Sequence, residues 1–277
     1  MNRRDFFKAG GLLATGAAAG RLVQEIPLQR SAEAAGVSPA FAGLGDSTVA
    51  KPAAASRVEV IWRVETDRKL IALTLDDGPM PAYTSNYLDM LEDKGVRATF
   101  SIVGEPARQN PDIVRRQLRL GHQLENHSYS HLDLGTQSAA VATREVVRGA
   151  EILEALSGRR PAYFRPPKGM VSGAALAAVG TVGADVLMWS LQIHERIWTV
   201  AQNIEHIVSN AVPGTILLAH DAKHHSIDRR IGLQAMPVII DRLRDRGYEF
   251  VTVTELVDAG LARVPSASPA PQPLEVK

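Results

Sequence analysis

Cysteine is absent from the 277 residues. Disulfides, thiolate zinc sites, cysteine nucleophiles and a lipid-bearing N-terminal cysteine are excluded together. Any metal ion must then be held by histidine and carboxylate ligands. A surplus of charge is also missing, since 31 basic against 30 acidic side chains leave a net +1. Like charges form no block, so neither a nucleic-acid surface nor an electrostatic membrane anchor is expected. No internal repeat is visible. What is present is apolar material: 45% of the residues are hydrophobic, enough for a sizeable core.

The first residues read as an address. Arg3-Arg4-Asp5-Phe6-Phe7-Lys8 precedes a mildly apolar stretch, residues 9–20, in an order that resembles a twin-arginine export signal. The stretch is too short and too rich in glycine to span a bilayer, so no membrane span is expected after processing. Cleavage is expected near Ala32-Glu33-Ala34, with Ala17-Ala18-Ala19 as the alternative. The chain is thus expected to meet the twin-arginine export machinery and to end in the periplasm, the cell wall or the medium. Residues 1–34 are assigned to the signal, 35–65 to a linker and lead-in, 66–262 to one folded domain, and 263–277 to a tail. That tail carries four prolines and no apolar pattern and is expected to be disordered.

Between the ends, short apolar runs alternate with amphipathic stretches. The runs are residues 71–75, 98–103, 123–126, 162–164, 184–189, 215–219 and 249–253, and their length and β-branched or aromatic content predict buried strands. One helix is expected from a cap at Thr84 or Ser85, through Leu88 and Leu91, to a stop at Gly95. A second carries Val146, Ala150 and Leu153 on one face and ends before Gly158. A third, over 228–246, has Met236, Ile239, Ile240 and Leu243 as its apolar stripe. Strands alternating with helices predict a parallel α/β sheet, most simply closed into a distorted (β/α) barrel of about seven strands in a single domain. Chemistry in such barrels sits where strands end and loops begin.

Four polar segments fall at those ends. The first is Leu73-Thr74-Leu75-Asp76-Asp77-Gly78-Pro79, in which one carboxylate can bind a metal while its neighbour stays free as a base; alone it is simply a turn. His127-Ser128-Tyr129-Ser130-His131 places two histidines four apart, the spacing of one helical turn, close enough to share an ion. With a carboxylate they make the two-histidine, one-carboxylate set that leaves a position open for water. In Phe164-Arg165-Pro166-Pro167-Lys168-Gly169 the prolines stiffen the loop, holding Arg165 and the N–H groups of Lys168 and Gly169 in place. Leu217-Leu218-Ala219-His220-Asp221 ends a strand with a histidine, a candidate acid or base.

Together these segments resemble the NodB-like polysaccharide deacetylases, a metal-dependent carbohydrate esterase family, over about residues 69–260. Ala98-Thr99-Phe100 with Gly104, and Gly121-His122 before His127, fit the same pattern. The resemblance implies Asp76 as catalytic base and Asp77, His127 and His131 as ligands to Zn2+. The same donors also suit Co2+, Ni2+ or Mn2+. It implies Arg165 as the residue orienting the base, His220 as general acid, and Leu218 with Pro166 as walls of the acetyl pocket. The reaction it implies is attack of water on an acetamide polarised by the metal, releasing acetate and a free amino group.

Two departures from the family stand out. Lys168 occupies a position usually held by tyrosine; if the backbone N–H serves the oxyanion there, the side chain can change, and a lysine can also steer an anionic polymer. In Trp189-Ser190-Leu191-Gln192-Ile193-His194-Glu195-Arg196-Ile197-Trp198, the usual Asp-Trp pair is missing. Ungapped counting puts Glu195 at the Asp position, as partner of His220, and Arg196 at the Trp position, while Trp198, two residues later, is the candidate for the aromatic wall of the substrate pocket. His122 is read as structural, His224 and His225 as exposed loop residues, and His194 and His206 show no partner pattern. The expected partner is an acetylated aminosugar polymer or oligomer, peptidoglycan or chitin-like. Alternatives are an O-acetyl esterase on a xylan-type polymer, a ring-opening amidohydrolase on a small cyclic amide, and an inactive carbohydrate-binding homologue.

Overall fold

The computed structural model describes residues 57–222, 227 and 229–261. The proposed export signal, residues 35–56 of the linker and lead-in, His224, His225 and the C-terminal tail lie outside the described residues. In chain order the elements are β1 (Val60–Ile61), β2 (Leu70–Asp76), α1 (Pro81–Asp93), β3 (Thr99–Ile102), α2 (Gly104–Gln109), α3 (Pro111–Arg119), β4 (Gln123–Asn126), α4 (Ala139–Ser157) and β5 (Tyr163–Phe164). There follow α5 (Gly173–Val182), β6 (Asp185–Leu187), β7 (Leu191–Gln192), α6 (Val200–Asn210), β8 (Thr215–His220), α7 (Arg230–Asp245), β9 (Glu249–Val251) and α8 (Val253–Leu261).

All strand pairs are parallel, in the order β1-β6-β5-β4-β3-β2-β8-β7, with β9 beside the first half of β2. The sheet curls into the distorted barrel that the alternating pattern predicts. Its ring is completed by one continuous stretch: β6 pairs with β5, and the chain runs on through Ser190, whose N–H donates to Ile216 O at 3.0 Å, into β7 beside β8. The two strands that the pattern does not announce, β1 and β7, are two residues long, too short to leave a run. β1 comes from the stretch read as lead-in.

Each layer follows from side-chain alternation. Every residue of β2 is buried. Ile71, Leu73 and Leu75 join a core shared with Leu88 and Leu91 of α1 and Met236, Ile239 and Ile240 of α7. Leu70 and Ala72 point the other way, into a cluster with Leu187, Ile216, Val253 and Leu256 that closes one end of the barrel. The second and third expected helices form as read, α4 ending in left-handed Gly158. The first starts earlier, at Pro81 after Met80. Proline at a first helical position is the start signal there, while Thr84 lies inside the first turn, its hydroxyl accepting the Met80 N–H at 2.7 Å and donating to Asp221 Oδ2 at 2.7 Å. No described helix is long and apolar enough to cross a membrane.

Candidate active site

Strand register sets the walls of the cleft. Asp76 on β2 stands opposite His220 on β8, and Thr74 opposite Leu218. Paired residues two apart project to one face of a sheet, so all four side chains share the barrel interior. Asp77 would point away if the strand continued. Instead its backbone turns left-handed, φ 79°, and both neighbouring carboxylates reach the same centre. Asp76 Oδ2 lies 3.7 Å and Asp77 Oδ1 3.4 Å from His127 Nε2.

Four described non-glycine residues have left-handed backbone: Asp77, Ser128 (φ 66°), His131 (φ 59°) and Lys168 (φ 60°). All four belong to this site. Such a conformation costs a residue with a Cβ about 1–2 kcal/mol and persists only where the surroundings enforce it. The enforcement is visible around the histidines. Residues 127–131 are irregular rather than the helical turn their spacing suggests. The left-handed steps at Ser128 and His131 bring the two rings together, with centroids 5.0 Å apart. The loop is held by the His131 N–H, which donates to Ser128 Oγ at 3.0 Å, and by the first N–H groups of α2, Gly104 and Glu105, donating to the carbonyls of Ser128 and Tyr129. From below, α4 packs so closely that a Cβ at Gly149 would stand 3.0 Å from the Ser128 carbonyl carbon and 2.3 Å from Asn126 Oδ1.

Asp77, His127 and His131 can each turn one ligand atom to a common point, these atoms lying within 4.8 Å of one another. His127 Nδ1 is 2.7 Å from the Arg165 carbonyl. That bond places the ring proton on Nδ1 and leaves the Nε2 lone pair facing the cluster, as a metal-ligating histidine requires. The donor set is two imidazoles and one carboxylate with an open side, and it fits a catalytic zinc or a similar divalent ion. Burial works to raise the Asp77 carboxyl, but hydrogen bonds from His127 and His131 and the nearby His220 outweigh it and hold it well below the usual range. Burial likewise works to lower His127, and the Asp76 and Asp77 carboxylates reverse it, leaving the imidazole raised.

Arg165 is completely buried, and each of its three guanidinium nitrogens donates. Nη1 reaches Asp76 Oδ1 and Thr74 Oγ1, both at 2.7 Å; Nε reaches Leu187 O at 3.1 Å and Nη2 Met188 O at 2.9 Å. Asp76 is therefore tied by one oxygen, with the other turned to the donor cluster. On the opposite wall His220 Nδ1 lies 3.3 Å from Glu195 Oε1, the pairing that ungapped counting suggested.

The cleft, about 430 Å³, is lined by these groups together with Pro166, Lys168, Leu218 and Trp189. Within the loop after β5 the Gly169 N–H is engaged, donating to Pro166 O at 2.9 Å, which leaves the Lys168 N–H as the loop's candidate donor to a substrate. The Lys168 ammonium is exposed and pairs with Asp133 Oδ2 at 3.4 Å. Trp198 is not brought into the cleft. Its ring packs against His194 and His206, with centroids 4.1 and 4.6 Å away, and the indole that lines the cleft belongs to Trp189. His122 is structural, its Nδ1 accepting the Ala98 N–H at 3.1 Å.

Two residues without a reading in the sequence complete the site. Asp221, fully buried, accepts from the Gly78 N–H at 3.1 Å and from Thr84, fixing the turn after Asp77; burial pushes its carboxyl up to about 7. Arg229 donates to both Asp77 Oδ2 and Glu195 Oε2. The order Asp228-Arg229-Arg230 reads as a solvated helix start, and only the fold shows which arginine turns inward.

Comparison with known proteins identifies relatives of the chain and of its fold. The family described as polysaccharide deacetylase matches residues 63–187. A peptidoglycan-N-acetylglucosamine deacetylase of Bacillus cereus is 34% identical over 201 residues, covering 72% of this chain and 92% of the relative. A peptidoglycan-N-acetylmuramic acid deacetylase of Bacillus subtilis is 33% identical over 196 residues, 70% of this chain but 40% of the relative. Among solved structures, a peptidoglycan N-acetylglucosamine deacetylase superposes with a TM-score of 0.66 at 28% identity, covering 71% of this chain and 92% of the other. The Xyl-CE4 domain of a multidomain xylanase from the hindgut metagenome of Trinervitermes trinervoides gives 0.63 at 34% identity, over 69% and 90%. With a barrel of the same fold and the Bacillus cereus relative matched over 92% of its length, the chain belongs to the polysaccharide deacetylase family and is a hydrolase of the deacetylase class.

Proposed function

We propose that the chain is an exported, metal-dependent N-deacetylase acting on N-acetylglucosamine units of peptidoglycan or a chitin-like polymer. The observation that carries this reading is the Asp77–His127–His131 donor set flanked by Asp76 on one wall and by the Glu195–His220 pair on the other. The order of residues 3–20 supports export. The relatives named for peptidoglycan support an aminosugar polymer as substrate.

A divalent metal bound at the three ligands supplies Lewis acidity for the acetyl carbonyl and an acidified water. Asp76, steadied by Arg165, takes a proton from the water as its oxygen adds to the acetyl carbon. The Lys168 N–H, presented by a left-handed turn at the cleft wall, donates to the developing oxyanion. Leu218 and Pro166 pack against the acetyl methyl. His220, oriented by Glu195, hands a proton to the nitrogen as the C–N bond breaks, and acetate and a free amine leave. Trp189 offers the apolar face against which a sugar ring can lie.

The xylanase-linked relative raises a second reading, removal of O-acetyl groups. An amine leaves far less readily than an alkoxide and depends more on a proton donor, so the oriented His220 favours the amide. The test is acetate release by wild type and His220→Ala from chito-oligosaccharide, peptidoglycan and acetylated xylan. An N-deacetylase releases acetate from the amide substrates and loses about 10²–10⁴-fold on them without His220. Turnover of acetylated xylan alone, with little dependence on His220, would establish the esterase instead.

A further inference from the structure

We propose that Arg229 is a positioning residue for this reaction, one guanidinium holding the oxygen that each of two working carboxylates leaves unused. The proposal rests on the metal-dependent reading above. Asp77 turns Oδ1 toward His131 Nε2 at 3.1 Å and His127 Nε2 at 3.4 Å, and its Oδ2 receives Arg229 Nη2 at 3.2 Å. Glu195 turns Oε1 toward His220 Nδ1 at 3.3 Å, and its Oε2 receives Arg229 Nη1 at 3.0 Å. The ligand carboxylate and the partner of the acid are thus joined through a single planar fork.

Burial makes the arrangement consequential. Arg229 and Glu195 are each 6% exposed. A carboxylate there without a cation would be strongly disfavoured, and one free to rotate would offer its histidine no fixed acceptor. For Asp77, loss of the guanidinium frees Oδ2 to compete with Oδ1 for a metal and removes the restraint on the ligand's direction. A lysine could reach one carboxylate, but its single nitrogen cannot repeat the spacing of two guanidinium nitrogens. The start of α7 is shaped around the contact. Arg229 precedes the helix, and one turn later Gly232 leaves room where a Cβ would stand 3.2 Å from Glu195 Oε1 and 2.8 Å from the Tyr87 hydroxyl.

The experiment compares wild type, Arg229→Gln, Arg229→Lys, Glu195→Gln and the Arg229→Gln/Glu195→Gln pair. Zinc affinity is measured by chelator competition without substrate, and kcat and KM on chito-oligosaccharide at saturating zinc. In Arg229→Gln both zinc affinity and kcat are expected to fall about 10–100-fold, with KM little changed. Arg229→Lys is expected to recover part of the zinc affinity and less of kcat. In kcat the paired variant is expected to be no worse than the poorer single one, because Arg229 acts on His220 through Glu195. A folded Arg229→Gln with zinc affinity and kcat within about twofold of wild type would overturn the proposal. So would fully additive losses in the pair. Should Arg229→Gln not fold, Arg229→Lys decides on the same readouts, wild-type values for both overturning it. A wild type that binds no zinc or releases no acetate would instead sink the reading on which the proposal rests.

Discussion

Replacing Arg165 by lysine, and separately by methionine, distinguishes a guanidinium that organises the site from a charge that merely balances Asp76. Arg165 is wholly buried and makes four hydrogen bonds, two of them to the main-chain carbonyls of Leu187 and Met188. A lysine ammonium can follow Asp76 but not both carbonyls as well. Two buried acceptors left without donors cost about 1–3 kcal/mol each, so Arg165→Lys is expected to lose about 2–6 kcal/mol of stability. Methionine keeps the bulk and removes the charge. It leaves Asp76, whose side chain is 5% exposed, as an uncompensated buried carboxylate, a loss of about 3–5 kcal/mol from the broken pair alone. Urea unfolding followed by circular dichroism reads both. Turnover of a chito-oligosaccharide should fall by about 10²–10⁴-fold in Arg165→Met, the usual contribution of a general base, and by less in Arg165→Lys. If Arg165→Lys unfolds at the wild-type urea midpoint and turns over at the wild-type rate, the carbonyl bonds are dispensable and the account of Asp76 positioning is wrong.

Two further outcomes concern residues outside the chemistry. Glu125 on β4 is 1% exposed and accepts from the Tyr163 N–H at 2.6 Å, yet burial pushes its carboxyl from 4.5 up to about 8. Between those values the folded form holds a proton that the unfolded form has lost, so its contribution is full below pH 4.5 and disappears as pH rises toward 8. Glu125→Gln should therefore flatten the stability-versus-pH curve by up to about 4 kcal/mol between pH 5 and 8; equal slopes for variant and wild type in urea titrations would contradict this. Gly149→Ala forces α4 away from Asn126 and Ser128, and overpacking of this kind costs about 1–3 kcal/mol. Calorimetry should show the lower Tm, and chelator competition a weaker hold on zinc, because the displaced segment carries His127; unchanged values for both would mean that the close approach is not needed.

The parts of this molecule that could be read in advance are those encoded locally. A strand such as 71–75 is continuous in sequence, and Asp76-Asp77, the paired histidines, Arg165 and His220 each lie at or just after a strand end, where a barrel gathers them whatever the details of its loops. The misreadings have specific causes. Thr84 looks like a helix cap, but Pro81 starts the helix three residues earlier, and the Thr84 hydroxyl instead links the Met80 N–H to the buried carboxylate of Asp221, 137 residues away. Spacing alone suggests a helical turn for His127 and His131, and only the left-handed φ at Ser128 and His131 shows how the rings meet. Trp198 is the nearer aromatic by counting, but two histidine rings hold it elsewhere, and Trp189 reaches the cleft from the end of a strand. Arg229 depends on contacts 34 and 152 residues distant, which no local pattern reports.

The division of labour between the adjacent aspartates is the centre of the account, and paired metal and product measurements test it most directly. Asp77→Ala and Asp76→Asn, purified beside wild type, are assayed for bound zinc by elemental analysis and for acetate released from a chito-oligosaccharide. Asp77→Ala is expected to lose both zinc and turnover, whereas Asp76→Asn is expected to keep near-stoichiometric zinc and lose about 10²–10⁴-fold in rate. Zinc retained in Asp77→Ala, or near-normal turnover in Asp76→Asn, would contradict this division of labour.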